Sequence, residues 1–245
     1  MRPSVAPAPP PRWEDQVKAQ IRRRYARIAE VGFGPPGSGG RAGQAGYPTA
    51  FLADLPEAVI DAYCGCGNPL GGAVGRHDLA EVRVAVDLGC GAGIDARQLA
   101  RLLPAGSLII GIDMTQAMAS LANTGPVRAV AADMEGLPLA DAAADLVIAN
   151  ASFNLTTDQR LAFSEAHRVL KPGGRLVIRE LIRDGELPVE VREDPQAWNT
   201  SLGGVLGEQE LLASLTQAGF TAPRISDRRP FPPVTSIRLE AMKPT

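Results

Sequence analysis

Residues 84–95 read Val-Ala-Val-Asp-Leu-Gly-Cys-Gly-Ala-Gly-Ile-Asp, an apolar run that ends in an acid and then meets three glycines at alternate positions. Val84, Val86 and Leu88 alternate as a buried strand requires, and a helical pattern from Ile94 to Leu103 follows at once. Glycine at 89, 91 and 93 allows the connecting turn positive φ and leaves bare backbone for a ligand to approach. Asp87 brings a carboxylate to the carboxyl end of the strand, where open α/β sheets bind ligands. A nicotinamide-binding fingerprint needs glycine three residues after Gly91, and Ile94 stands there. An acid two residues before the first glycine suits a positively charged ligand group better than a pyrophosphate.

The downstream motifs fall where a doubly wound sheet requires them. Leu108 to Ile112 is a second strand closing on Asp113, about 20 residues past the glycine loop, where an acid can bind both ribose hydroxyls. A third strand, Val127 to Ala132, ends at Asp133-Met134-Glu135, and a fourth, Asp145 to Ala149, leads to Asn150. The run from Glu165 to Gly174 ends a helix at Pro172 and the Gly173-Gly174 pair, and a fifth strand follows from Arg175 to Leu181. A helix from Gly207 to Ala218 and strands near 224–227 and 236–242 complete the pattern.

Glycine loop and acids together resemble the cofactor-binding core of class I S-adenosylmethionine-dependent methyltransferases. The resemblance implies an α/β, Rossmann-like fold: a seven-stranded, mostly parallel sheet with helices on both faces and an N-terminal helical cap. It implies S-adenosyl-L-methionine as cofactor, with Asp113 on the ribose, Met114 against the adenine, and Asp133 with the Met134 amide on the adenine edge. Asp87, Gly89, Cys90, Gly91, Gly93, Asn150 and Tyr25 are the remaining expected cofactor contacts.

The 245 residues suit one large α/β domain, preceded by a cap. The apolar share is 45%, with no stretch near the ~18–20 residues that cross a bilayer. Residues 1–12 read as a disordered tail rather than a secretory signal, so a cytoplasmic, membrane-free protein is expected. A net charge of −2 argues against nucleic acid as partner, and oligomeric state is not legible. Lys18, Arg22, Arg23, Arg24 and Arg27 read as a solvated helix face. Residues 13–80 form the cap, beginning with an amphipathic helix over Trp13–Val31. The segment Gly32–Gly46, with seven glycines and two prolines, is expected to be a flexible loop without helix or strand. A helical stretch over Thr49–Ala62 follows, and residues 81–245 form the core, with an acceptor-site insert at 183–207.

Within the class, Cys66-Gly-Asn-Pro-Leu70, Asp113-Met114-Thr115, Asn154-Leu155 and Gly203-Gly204-Val205-Leu206 resemble the arsenite methyltransferases. That family's arsenic-binding cysteines correspond to Cys66, to Ala151 and to Ser201, or Thr200 if the register slips by one, so two of the three thiols are missing here. Trivalent arsenic calls for converging thiolates, since soft metalloids prefer sulfur. No zinc spacing is present and no metal is expected. Replacing thiols by Ala151 and Ser201, beside Phe153, Trp198 and Asn199, describes a mostly apolar acceptor pocket with Cys66 at its edge. The expected activity is methyl transfer to a small organic metabolite at carbon, nitrogen or oxygen, natural-product tailoring included. The alternatives are arsenite methylation through a reduced cysteine set, and cofactor binding for regulation or non-methylating sulfonium chemistry. If the acceptor must shed a proton, Tyr25, Tyr63, Glu180 and Asp184 are the candidate bases.

Overall fold

Alternation along the strands sorts side chains into two cores. In β1 (Val84–Leu88), Val86 and Leu88 join one buried cluster and Ala85 the other; in β4 (Ala144–Asn150), Val147 and Ala149 are separated from Leu146 and Ile148 in the same way. A strand buried on both faces is what a parallel sheet sandwiched between helices demands. The computed structural model describes residues 12–34, 41–71, 79–187, 189–190, 195–198 and 201–245. The expected tail (1–11), the middle of the glycine-rich segment (35–40) and Asn199 lie outside the described residues.

The sheet runs β3-β2-β1-β4-β5-β8-β7, with β2 at Leu108–Asp113, β3 at Arg128–Ala131, β5 at Leu170–Arg183, β7 at Thr221–Phe231 and β8 at Val234–Met242. β1 to β5 pair in parallel, while β8 is antiparallel to both β5 and β7. Seven strands lie on this path, as expected, and an eighth of two residues, β6 (Leu206–Gly207), pairs with the end of β5. The order reverses between β1 and β4, so their carboxyl ends open a crevice there.

Seen along the chain, α1 (Trp13–Val31), α2 (Thr49–Ala53) and α3 (Glu57–Asp61) make the cap. In the core, α4 (Ile94–Leu102), α5 (Gln116–Ala122) and α6 (Gln159–Val169) alternate with strands, followed by α7 (Pro195–Trp198) and α8 (Glu208–Gln217). Ala96 and Leu99 of α4 pack on one face of the sheet; Ala162, Phe163 and Ala166 of α6, with Leu211 and Leu215 of α8, pack on the other.

Several local expectations change. Residues 49–62 form two short helices, because Pro56 begins a second one as its N-cap. The Gly32–Gly46 segment contains one 3-10 turn, Ala42–Gln44, with Ala42 and Ala45 buried beside Tyr47. α6 ends at Val169, before Pro172, and β5 begins at once. Pairing jumps from Ala144–Leu170 to Leu146–Arg175, so Lys171 to Gly174 bulge toward Lys243 instead of forming a separate turn. Lys18 does not sit on a solvated face: its Nζ lies 2.7 Å from Asp133 Oδ2 and 2.5 Å from Glu135 Oε2.

Candidate cofactor and acceptor site

The crevice at the switch point is a cleft of about 860 Å³, partly open to solvent. The glycine loop forms its floor. Gly89 and Gly91 take φ of 68° and 51°, the left-handed region that glycine adopts without strain. A β-carbon at Gly89 would collide with Ser152, whereas one at Gly91 would meet nothing within 4 Å and would stand in the cleft. Packing thus excludes a side chain at Gly89, whereas at Gly91 a side chain would take up space in the cleft.

Asp113 is held at the end of β2 by two backbone donors: Gly91 N–H to Oδ2 at 2.9 Å and Thr115 N–H to Oδ1 at 2.8 Å. Asp113 and the glycine loop thus orient each other. Burial pushes the Asp113 carboxyl upward against these hydrogen bonds. Cys90, Met114, Asp133, Met134, Asn150 and Tyr25 all border the cleft. Asp87 does not. It lies 1% exposed behind the loop, bound to the Ala96 N–H, and its Oδ2 has no hydrogen-bond partner. Two residues before Gly89 on β1, it lies behind the lining rather than in it.

The acid that does line the cleft is Asp95, in the first turn of α4, a role the sequence reading did not assign. Tyr47 Oη donates to its Oδ1 at 2.7 Å, and Asn150 Nδ2 donates to its Oδ2 at 2.9 Å. Burial pushes Asp95 up to about 6. Asn150 Nδ2 also donates to Gly67 O at 2.6 Å, while its Oδ1 accepts from Cys66 N–H at 3.0 Å. The Cys-Gly-Asn-Pro segment is therefore fastened to the end of β4. Asp95 follows the third glycine by two residues, and that offset was its only sequence signal.

The candidate bases separate. Tyr25 and Tyr63 border the cleft; Glu180 and Asp184 do not. Tyr63 Oη donates to Gly67 O at 2.7 Å, and Tyr25 shares a hydrogen bond with Ser201. Burial raises both phenols above their ordinary range, so they remain protonated donors at neutral pH. Glu180 is 1% exposed and its two oxygens accept from Phe153 N–H (3.0 Å) and Leu181 N–H (2.9 Å). It organises the loop after β4 from beneath. Asp184 accepts from Thr235 Oγ1 at 2.5 Å on the surface.

The expected acceptor pocket is only partly assembled. Ala151 borders the cleft, but Cys66 does not; it joins Ala151 in an apolar cluster with Leu181, Val205 and Val234. Phe153 is a core residue, stacked on Phe163 at 4.2 Å between centroids. Trp198 docks the cap, packing with Val17 and Ile21 of α1 and edge-on to Trp13 at 5.6 Å. The thiol that lines the cleft from the cap is Cys64, pushed up to about 12 by burial despite Arg41 and Arg24 nearby.

Known proteins match this arrangement. The family described as a methyltransferase domain matches residues 86–178. An arsenite methyltransferase of Halobacterium salinarum is 30% identical over 238 residues, covering 87% of this chain and 60% of that protein. The human arsenite methyltransferase is 29% identical over 190 residues, 71% of this chain and 49% of its own length. The chain therefore spans about half to three-fifths of these curated relatives. The crystal structure of an arsenic (III) S-adenosylmethionine methyltransferase from Chlamydomonas reinhardtii superposes with a TM-score of 0.68 at 27% identity, covering 80% of this chain and 72% of that one.

The fold is that of the class I S-adenosylmethionine-dependent methyltransferases. Within that class the chain is a distant relative of the arsenite methyltransferases. The residues fit the cofactor. Asp87, Asp95 and Asp113 are all buried, and none forms an ion pair with lysine or arginine among the described residues. Three buried carboxylates without a cation call for a positively charged ligand.

Proposed function

We propose that the protein transfers the methyl group of S-adenosylmethionine to a small organic acceptor. One observation carries the organic reading: Cys66, the one thiol retained from the arsenic-binding set, does not border the cleft. Cys64 borders it from the cap and Cys90 from the glycine loop, while Cys66 packs in a cluster with Leu181, Val205 and Val234. Burial raises all three thiols, which opposes the thiolates that arsenic requires. The cofactor supplies an electrophilic methyl on a sulfonium. Asp113 and the Gly91 backbone orient one end of the ligand, and Tyr63 and Asn150 hold the Cys-Gly-Asn-Pro segment against the other. Such positioning contributes much of the rate when the reacting atoms are aligned, with effective molarities of about 10⁵–10⁸ M. Because Tyr25 and Tyr63 stay protonated and Glu180 is withdrawn, the site favours an acceptor atom that attacks with a lone pair it already has.

A second reading, arsenite methylation, is favoured by the names of the relatives and by the retained Cys66. The two separate by incubating the protein with S-adenosylmethionine and either arsenite with glutathione or a panel of small amines, phenols and carbon acids. Release of S-adenosylhomocysteine with an organic acceptor, and no methylarsenicals, is the expected result. Robust methylarsenite formation overturns the organic reading.

A further inference from the structure

Two arginines of the cap lie beside residues that border the cleft. Arg24 of α1 and Arg41, just before the 3-10 turn, both lie against the ring of Phe33, at 5.9 and 4.6 Å from its centroid. Arg41 also faces Phe231, at 5.3 Å. Neither guanidinium has a carboxylate within ion-pair distance among the described residues. The Nε of Arg24 is buried without any hydrogen-bond partner. Both charges act on Cys64, and that of Arg24 on Tyr25, and these two residues border the cleft. Phe33, Tyr25 and Cys64 pack against one common apolar cluster.

Two arginines held by aromatic faces, rather than by acids, keep their hydrogen-bonding edges free for a ligand. Their location says which ligand. The glycine loop and Asp113 belong to β1 and β2, whereas Phe231 ends β7 at the far side of the same carboxyl edge, beyond β4, β5 and β8. An anion held there sits on the acceptor's side of the cleft.

Building on the methyl-transfer reading above, we propose that the acceptor carries an anionic group, carboxylate or phosphate, which Arg24 and Arg41 bind beside Phe33. The rest of the acceptor then extends past Cys64 and Tyr25 toward the glycine loop. The cap thus selects acidic metabolites and turns away neutral ones of equal shape.

The test is a binding measurement that needs no turnover, so its outcome is independent of which acceptor is methylated. Benzoate, phenyl phosphate and neutral benzyl alcohol are titrated into protein saturated with S-adenosylhomocysteine. The two anions are expected to bind and the alcohol not to. Arg24→Gln and Arg41→Gln should each weaken anion binding at least tenfold, and Arg41→Lys should retain most of it. S-adenosylmethionine affinity should stay within twofold in all three variants. Thermal melts confirm that each variant is folded. Equal binding of both anions and benzyl alcohol, failure of both anions to bind the wild type, or anion affinity unchanged in both glutamine variants overturns the proposal. A tenfold loss of S-adenosylmethionine affinity also overturns it, by assigning the arginines to the cofactor's own carboxylate. If arsenite proves to be the methylated substrate while benzoate still binds through Arg41, the organic reading fails and the anion site stands.

Discussion

Lys18 of the cap helix lies 2.7 Å from Asp133, the acid on the loop after β3 that borders the cofactor cleft. The same ammonium is 2.5 Å from Glu135, which also accepts from Thr157 N–H and Asp158 N–H. One lysine therefore ties the cap, the loop after β3 and the segment leading into α6. Lys18→Met should lower stability by about 1 kcal/mol, since the pair is only partly buried. That corresponds to a melting-temperature drop of about 2–4 °C for a chain of this size. Burial opposes the ammonium's charge, but the two acids prevail and raise its pKa above 10.5. The contribution is therefore full below that value and lost as pH rises through the higher folded value. Melts at pH 7 and in strong alkali, with and without the substitution, read this directly.

Gly89→Ala and Gly91→Ala should fail differently. The first drives a methyl into Ser152, whose Oγ donates to Leu88 O at 2.8 Å, and should destabilise the fold by about 1–3 kcal/mol. The second points into open space and should leave the fold standing, apart from left-handed strain of about 1 kcal/mol. Cofactor affinity should nonetheless fall, because the methyl occupies ligand space. Calorimetric titration beside thermal melts separates the two, and matching losses in both measurements would refute the division of roles.

Asp113→Ala should weaken S-adenosylmethionine binding more than tenfold, about 1.4 kcal/mol. The carboxylate supplies charge-assisted hydrogen bonds and also fixes the Gly91 and Thr115 amides. Unchanged affinity by calorimetry would remove Asp113 from the cofactor site.

Glu180 separates a structural role from a catalytic one. Burial raises its carboxyl to about 7 against opposing backbone hydrogen bonds. The folded state then holds the proton more tightly than the unfolded chain. The stability Glu180 contributes is full below about 4.5 and declines as pH rises through about 7. Glu180→Gln should flatten that part of the stability profile and cost about 1–3 kcal/mol, because one amide loses its acceptor. Turnover with a good acceptor should remain within about tenfold of wild type; loss by several orders of magnitude would restore Glu180 as a base.

The glycine loop, the strand-end acids and the order of elements were legible because each has a local signature: alternation, spacing, a φ that only glycine tolerates. Asp113 could be placed from its position alone, since the end of a parallel strand beside a glycine loop has one direction to face. Asp87 and Asp95 were not so readable. Both flank the loop, and only the turn into α4 decides that Asp95 faces the cleft while Asp87 lies behind it. Phe153, Trp198 and Cys66 stood beside the right strands in sequence but pack into clusters made by distant segments, α6, α1 and β8 respectively. Lys18 looked solvated for the same reason: its acids are more than a hundred residues away.

The unpaired carboxylates have a consequence for what leaves the site. S-adenosylmethionine and its demethylated product have nearly the same shape, but only the first carries a positive charge on sulfur. A cleft bordered by Asp95 and Asp113, with Asp87 behind it and no lysine or arginine paired to any of them among the described residues, attracts that charge directly. When the charge disappears with the methyl group, the same acids are left facing a neutral thioether and one another. The spent molecule is thus held less firmly than the fresh one, and product inhibition should be weaker than shape alone dictates. Acid conditions erode the distinction: below about pH 6 Asp95 takes up a proton, and the site tells the two apart less sharply.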